Sequence, residues 1–283
     1  MSAGPLHPLE VLFLRQWRRQ MAAGQREAAR NTLLDALAQE PNLPRVHVAL
    51  ARMRWPGPDY QQWLAWFQAH LSPQVYLEIG VEYGDTLRLA GPGTLAIGVD
   101  PAPKGDPTAR CTGPSLLYPQ TSESFFAAPP PDSGLPGRGF DLAFIDGDHR
   151  FEAVLDDFIG AEALAAPGAV LLLHDTVPLT ADTAGREHRT GFHTGDAWKI
   201  VPCLRLLRPD LRIVTLPAAP TGLTVVTGLD PSSTRLRERR AVIHAAYATL
   251  PPDGVVAAPQ HPLALGLNEP EWMARWLRQA RAQ

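Results

Sequence analysis

From Leu9 to His70 the apolar positions recur at helical spacing. Leu33, Leu34 and Leu37 mark one helix within Gln25–Gln39, framed by Gly24 and Pro41, and Trp63, Trp66 and Phe67 mark another within Tyr60–His70. After Pro73 the period changes. Short apolar runs at Tyr76–Ile79, Leu95–Val99, Leu116–Tyr118, Phe140–Ile145 and Ala169–Leu173 have strand length, and Phe151–Ala165 between the last two reads as a helix. Such alternation predicts a parallel sheet with helices on both faces. Two further runs, Arg212–Leu216 and Leu223–Val226, are joined by only six residues, too few for a parallel crossover, so they should pair antiparallel. Proline-rich Ala127–Gly139 reads as an exposed loop, and Ser233–Leu250 and Glu269–Ala282 as closing helices. The expected fold is therefore α/β, a doubly wound, mostly parallel seven-stranded sheet with an antiparallel closing hairpin, plus an N-terminal helical cap. The expected divisions are a helical region at 1–70, a core at 71–230 and a helical extension at 231–283.

Composition narrows this picture without changing it. The chain has 283 residues, 45% hydrophobic and 19% charged, which excludes disorder throughout and suits one large domain with a smaller appendage. A formal net charge of -3 gives no basic footprint for nucleic acid, so a small-molecule substrate is expected. With Cys111 and Cys203 as the only cysteines, neither a disulfide framework nor a cysteine metal site is expected. No stretch approaches about 18 consecutive apolar residues and the N-terminus lacks a signal-peptide pattern, so a cytoplasmic location without a membrane partner is expected. A homo-oligomer is left open. The abundance of Ala, Pro and Arg suggests a bacterial genome rich in G and C.

The strand at Tyr76–Ile79 leads into Gly80-Val81-Glu82-Tyr83-Gly84, a strand-to-helix turn with two glycines four positions apart. Glycine lets a ligand approach bare backbone, because it has no Cβ and tolerates positive φ. The next apolar run ends at Asp100, about twenty residues on, where a carboxylate meets ribose hydroxyls in nucleoside-binding folds of this type. The spacing is E-x-G-x-x-x-G, which lacks the third glycine that admits a pyrophosphate, so a dinucleotide is poorly served.

Glu78, Gly80, Gly84 and Asp100 together resemble the first motifs of the class I S-adenosylmethionine-dependent methyltransferases, over roughly residues 70 to 230. The resemblance implies that these residues bind S-adenosylmethionine, with Ser122 close to the adenine. The closing hairpin is also what this class carries at one sheet edge.

Two polar clusters follow strands directly: Asp146-Gly147-Asp148-His149 after the fourth and His174-Asp175-Thr176 after the fifth. Ligands of open α/β sheets sit outside the carboxyl ends of the strands, so these residues face the cleft and two carboxylates from adjacent strand ends could share one cation. The segment Asp141–Thr176 resembles a bacterial branch of the metal-dependent small-molecule O-methyltransferases, a group with catechol- and macrolide-type enzymes. That resemblance implies Mg²⁺ on Asp146 and Asp175 and catalytic roles for Asp146 and for His149 as base. Thr176 departs from it, standing where the family has Asn. Asp148 reads as a loop residue or a carboxylate orienting His149, and Asp156 and Asp157 as a solvated helix face. The polar stretch from Thr176 to Lys199, with Arg186, His188, Arg189, His193 and Asp196, reads as a lid hinged at Gly191 and Gly195, and His193, Trp198 and Lys199 are candidates to face the acceptor.

The expected function is methyl transfer from S-adenosylmethionine to a hydroxyl of a small molecule, assisted by a divalent metal and a histidine base. The alternatives are a non-methylating, hydroxylase-like relative of the same fold and a partner-binding scaffold. No serine nucleophile elbow, H-E-x-x-H or P-loop occurs in the sequence.

Overall fold

The computed structural model describes residues 7–187 and 190–281. Seven strands, β1 (Val75–Ile79), β2 (Leu95–Val99), β3 (Ser115–Tyr118), β4 (Phe140–Ile145), β5 (Ala165–His174), β6 (Arg212–Leu216) and β7 (Leu223–Thr227), form one sheet in the order β3-β2-β1-β4-β5-β7-β6. The first five are parallel, whereas β7 runs antiparallel to both β5 and β6, as the short connection between the last two requires. The chain builds outward from β1 to β3 and then returns to place β4 on the other side of β1. That reversal brings Ile79 level with Ile145 and makes the carboxyl ends of β1 and β4 the natural ligand crevice.

The helices are α1 (Pro8–Ala22), α2 (Arg26–Gln39), α3 (Pro44–Arg54), α4 (Tyr60–Leu71), α5 (Ser122–Ala127), α6 (Leu135–Arg138), α7 (Phe151–Glu162), α8 (Ile200–Leu207), α9 (Arg240–Ala248), α10 (Asp253–Ala257) and α11 (Pro270–Arg281). Alternate strand residues go to opposite cores, because successive Cβ atoms point to opposite faces. Leu77, Ile79, Ala143, Ile145, Leu171 and Leu173 join the cluster that includes Phe158 of α7 and Leu204 of α8. Tyr76, Leu142, Phe144 and Leu172 join Trp63 and Phe67 of α4 with Met273 and Leu277 of α11. Helix α4 is thus a layer of the sheet, started by a reciprocal cap in which Asp59 Oδ1 accepts from the Gln62 amide at 3.0 Å and Gln62 Oε1 from the Asp59 amide at 2.9 Å.

The structure differs from the sequence expectation in several elements. No α-helix follows β1; a single 3₁₀ turn, Leu87–Leu89, stands there, ended by Gly91-Pro92-Gly93, and α4 lies against that turn. β5 begins at Ala165 rather than Ala169 and cuts the preceding helix short at Glu162. The proline-rich loop holds short helical turns with Ser133 and Leu135 buried, so it is not simply exposed. Among the described residues no helix is long and apolar enough to cross a membrane.

Candidate active site

At the carboxyl ends of β1, β2, β4 and β5 lies a cleft of about 1760 Å³, larger than the 300–1,000 Å³ typical of single-ligand pockets. Gly80, Asp100, Ser122, Asp146, His149 and Asp175 all line it. Gly80 is required by close approach: at φ +85, a Cβ there would lie 2.1 Å from the Asp146 carbonyl oxygen. Asp100 ties this turn to the end of β2, its Oδ2 accepting from the amides of Val81 and Glu82 at 2.9 and 2.8 Å and its Oδ1 from Ala102 at 2.7 Å. Oδ2 is thereby filled, and only Oδ1 can accept a second bond.

Glu78 and Gly84 stand apart from the residues that line the cleft. The Glu78 carboxyl is fully buried behind the turn, accepting from the Tyr76 hydroxyl at 2.6 Å and the Thr86 hydroxyl at 2.7 Å, and is not part of the cleft wall. Burial pushes its pKa up to about 8, against the two hydroxyls, which lower it. Gly84, at φ +73, is needed because a Cβ would meet the Pro107 carbonyl oxygen at 2.3 Å.

The polar clusters after β4 and β5 converge. Asp146, His149 and Asp175 each present a ligand atom, all within 4.8 Å of one another. Asp175 takes a left-handed backbone at φ 56, an unfavourable conformation for a non-glycine residue, and is 4% exposed. His149 Nε2 is 3.1 Å from Asp175 Oδ2 and 3.8 Å from Asp146 Oδ1, while Nδ1 is 3.2 Å from the His193 carbonyl. That carbonyl can only accept, so Nδ1 carries a proton, and Nε2, 3.1 Å from a carboxylate oxygen, carries another while no cation is bound. Asp175 raises the pKa of His149, opposed by burial and aided by Asp146.

A second imidazole completes the cluster. His174 Nδ1 lies 2.9 Å from Asp146 Oδ1 and Nε2 lies 3.2 Å from the Thr221 hydroxyl. Burial opposes its charge, but Asp146 and Asp175 prevail and push its pKa to about 9, while Asp146 is held below the usual carboxylate range as His174 outweighs burial. The Tyr60 ring covers this imidazole with centroids 4.2 Å apart, and the Tyr60 amide donates to the Ala219 carbonyl at 3.1 Å. Tyr60, His174 and Thr221 were not singled out as primary site residues by sequence reasoning. For His174 a signal existed, since it directly precedes Asp175 at a strand end.

Thr176 does not face this cluster. It is fully buried and accepts from the Thr224 hydroxyl at 2.8 Å, inside a chain of threonine hydroxyls with Thr215. The stretch after it is not an open lid either: Thr190, Phe192, Thr194 and Asp196 are buried, and a Cβ on Gly195 would lie 2.2 Å from the His149 carbonyl oxygen. Asp196 Oδ1 accepts from the Phe151 amide at 2.7 Å and so supports the start of α7. His193 lines the cleft, but Trp198 and Lys199 are buried away from it, Lys199 Nζ lying 2.9 Å from Asp196 Oδ2. Asp148 pairs with Arg150, their closest atoms 2.5 Å apart, rather than orienting His149. Asp157, expected on a solvated face, is 4% exposed. His188 and Arg189 lie outside the described residues.

Two carboxylates and one imidazole form a donor set that suits a divalent cation, with oxygen ligands for a hard ion and the ring nitrogen for a softer one. Without a cation, two protonated imidazoles balance the two acids. The site can therefore exchange protons for a metal.

Residues 77–176 match the family model of a methyltransferase domain. No curated protein matches the chain. Among solved structures, cofactor-bound Rv0187 from MTB is 18% identical with a TM-score of 0.49, covering 66% of this chain and 88% of that one. An O-methyltransferase from Streptomyces achromogenes involved in tomaymycin synthesis, in complex with SAM, is 16% identical with a TM-score of 0.43 and covers 59% and 78%. An O-methyltransferase from Bacillus cereus in complex with SAH is 14% identical with a TM-score of 0.43 and covers 65% and 87%.

Proposed function

We propose that this chain, whose residues 77–176 match a methyltransferase-domain model, is a class I S-adenosylmethionine-dependent enzyme that moves the methyl group of S-adenosylmethionine to a hydroxyl of a small molecule. The observation that carries the reading is the presence of the Asp146–His149–Asp175 cluster in the same cleft as Gly80, Asp100 and Ser122. The remaining lone pair of Asp100 Oδ1 suits a ribose hydroxyl of the donor, bare backbone at Gly80 admits its body, and Ser122 suits the adenine side. The carboxylates at the other end favour a sulfonium, whose positive charge is then close to Asp146.

Asp146 and Asp175 would hold a divalent cation such as Mg²⁺, which, when bound, lowers the pKa of an acceptor hydroxyl. His149 Nε2 takes the hydroxyl proton once its own proton has been lost, and the His193 carbonyl keeps the ring turned toward the acceptor. The acceptor oxygen then forms a bond to the methyl carbon as the carbon–sulfur bond breaks and its electron pair stays on sulfur. The chain's main contribution is to hold oxygen, carbon and sulfur in line, an effect worth roughly 7–11 kcal/mol when orientation is good.

The test combines calorimetry with product analysis. S-adenosylmethionine should bind the wild-type chain, and S-adenosylhomocysteine should accumulate with hydroxylated acceptors and divalent metal but fall sharply with chelator. Asp146→Asn should suppress turnover while donor binding persists, whereas Asp100→Ala should weaken donor binding. Unaltered donor affinity in Asp100→Ala counts against the assigned pocket.

A further inference from the structure

The segment that carries His193 is pinned by the N-terminal helical region, two residues before the carbonyl that meets His149. There the Gly191 amide donates to Asn42 Oδ1 at 2.6 Å. Asn42 belongs to the link between α2 and α3, and that link is itself fixed. The Asn42 amide donates to Glu40 Oε1 at 2.9 Å, and His47 Nε2 lies 2.9 Å from the Pro41 carbonyl. The approach leaves no room for a side chain on Gly191, where a Cβ would lie 2.9 Å from Pro44 Cγ and 3.3 Å from Asn42 Oδ1.

The next residue makes a second contact with the same region. Phe192 is buried, and its ring stacks on His47 of α3 with centroids 5.1 Å apart and planes 9° from parallel. The Pro41 carbonyl can only accept, so His47 carries its proton on Nε2, and Nδ1 is buried with no hydrogen-bond partner among the described residues. A leucine would avoid the cost of that buried nitrogen, but it could neither hold the Pro41 carbonyl nor present a flat ring to Phe192. Beyond His193 the segment is held again, the Thr194 amide and hydroxyl both donating to the Thr183 carbonyl, at 2.9 and 2.8 Å. His193 therefore lies between two anchors. The His149 ring is only half-buried, so its plane is set by its partners, Asp175 on one nitrogen and the His193 carbonyl on the other.

We propose that Asn42 is a positioning residue for the base: by holding the Gly191 amide, beside the His47–Phe192 stack, it fixes the His193 carbonyl and through it the ring of His149. The N-terminal helical region thereby takes part in orienting the proton acceptor without touching the substrate. This role rests on His149 being the base, as proposed above.

NMR of the full, metal-free chain with isotope-labelled histidine rings tests this through the exchange of the His149 Nδ1 proton with water. The wild type should show that proton in slow exchange. Asn42→Ala, at an exposed position and so expected to fold, should speed the exchange about fivefold, the effect of losing one hydrogen bond. Asn42→Asp keeps the acceptor oxygen and should restore the wild-type rate, whereas Phe192→Leu, which stays apolar but loses the stack, should act like the alanine variant. A wild-type proton that exchanges too fast to observe, a rate in Asn42→Ala within twofold of wild type, or an aspartate variant as fast as the alanine one overturns the proposal. S-adenosylhomocysteine production that is undiminished in His149→Gln removes the base reading and the role of Asn42 with it. An unchanged exchange rate in Asn42→Ala beside a disabled His149→Gln overturns the role of Asn42 alone.

Discussion

His149 and Asp175 meet at 3.1 Å, Nε2 to Oδ2, while the opposite ring nitrogen of His149 is 3.2 Å from the carbonyl of His193. A nitrogen this close to a carboxylate oxygen is a donor, so without metal the ring is protonated on both sides, in keeping with its raised pKa. A cation held by Asp146 and Asp175 would repel the adjacent imidazolium and displace its Nε2 proton, which leaves that nitrogen free as the base. Binding of Mg²⁺ or Mn²⁺ should therefore tighten as pH rises, by about tenfold per unit for each proton released while His149 is still protonated. Calorimetry at pH 6, 7 and 8 in buffers of different ionisation heat measures both the trend and the proton count. An affinity independent of pH, with no proton release, contradicts this coupling.

His174 should give the metal-free protein a pH-dependent stability. Its pKa rises from 6.5 to about 9 on folding, so its contribution is complete below pH 6.5 and disappears as pH climbs through about 9. The loss should be about 3 kcal/mol across that window. Glu78, also raised, to about 8, acts in the same direction from a lower pH, since its stabilising protonated form is lost as the medium becomes alkaline. Denaturant unfolding of wild type and His174→Gln, with chelator present, separates the two, because Glu78 contributes equally to both proteins. A difference between them that does not shrink from pH 6.5 to 9.5 disproves the assignment.

Gly80 and Gly105 both adopt positive φ, at +85 and +68, but only the first is enclosed. A Cβ on Gly80 would strike the Asp146 carbonyl at 2.1 Å, whereas nothing lies within 4 Å of one on Gly105. Gly105→Ala should therefore cost only the left-handed backbone term, about 1 kcal/mol. Gly80→Ala should cost at least about 3 kcal/mol and disturb the metal ligand at the end of β4. Thermal unfolding and Mn²⁺ titration of both variants check this pair of outcomes. Equal effects in the two would show that crowding at the β1–β4 junction is absent.

The legible part of the site consists of residues whose position follows from chain neighbours. Asp146 follows β4 and is level with His174 at the end of β5, one step beyond the Ile145–Leu173 pair, while Asp175 stands one residue further on with a left-handed backbone and joins the same cluster. The orientation of Glu78 is contained in strand alternation: it shares a face with Tyr76, two residues earlier, and so turns to the α4 side of the sheet. Asp157 was hidden for a different reason, since its burial depends on α5 bringing Ser122 against α7. Tyr60 and Thr221 come from an N-terminal helix and a hairpin connection, and only tertiary docking of both onto β5 brings them to His174. The missing helix after β1 is a tertiary override of the same kind, with α4 against the 3₁₀ turn and α11 completing the layer.

The Tyr60 ring lies over His174 and is itself largely shielded, burial first and Asp146 next raising the pKa of its hydroxyl. Its role is to keep water from an imidazole whose charge depends on unscreened attraction to Asp146 and Asp175. Tyr60→Phe keeps the ring and should leave the His174 titration near 9. Tyr60→Ala opens a path for solvent, weakens both attractions and should lower that pKa by roughly one unit. Site-resolved NMR titration of the His174 ring in the metal-free protein gives the comparison directly. Because Tyr60 belongs to α4, a lowered His174 pKa in the alanine variant alone would tie the N-terminal helices to the electrostatics of the cleft. An unchanged His174 pKa in Tyr60→Ala would show that the ring shields nothing and that the strand ends set the charge by themselves.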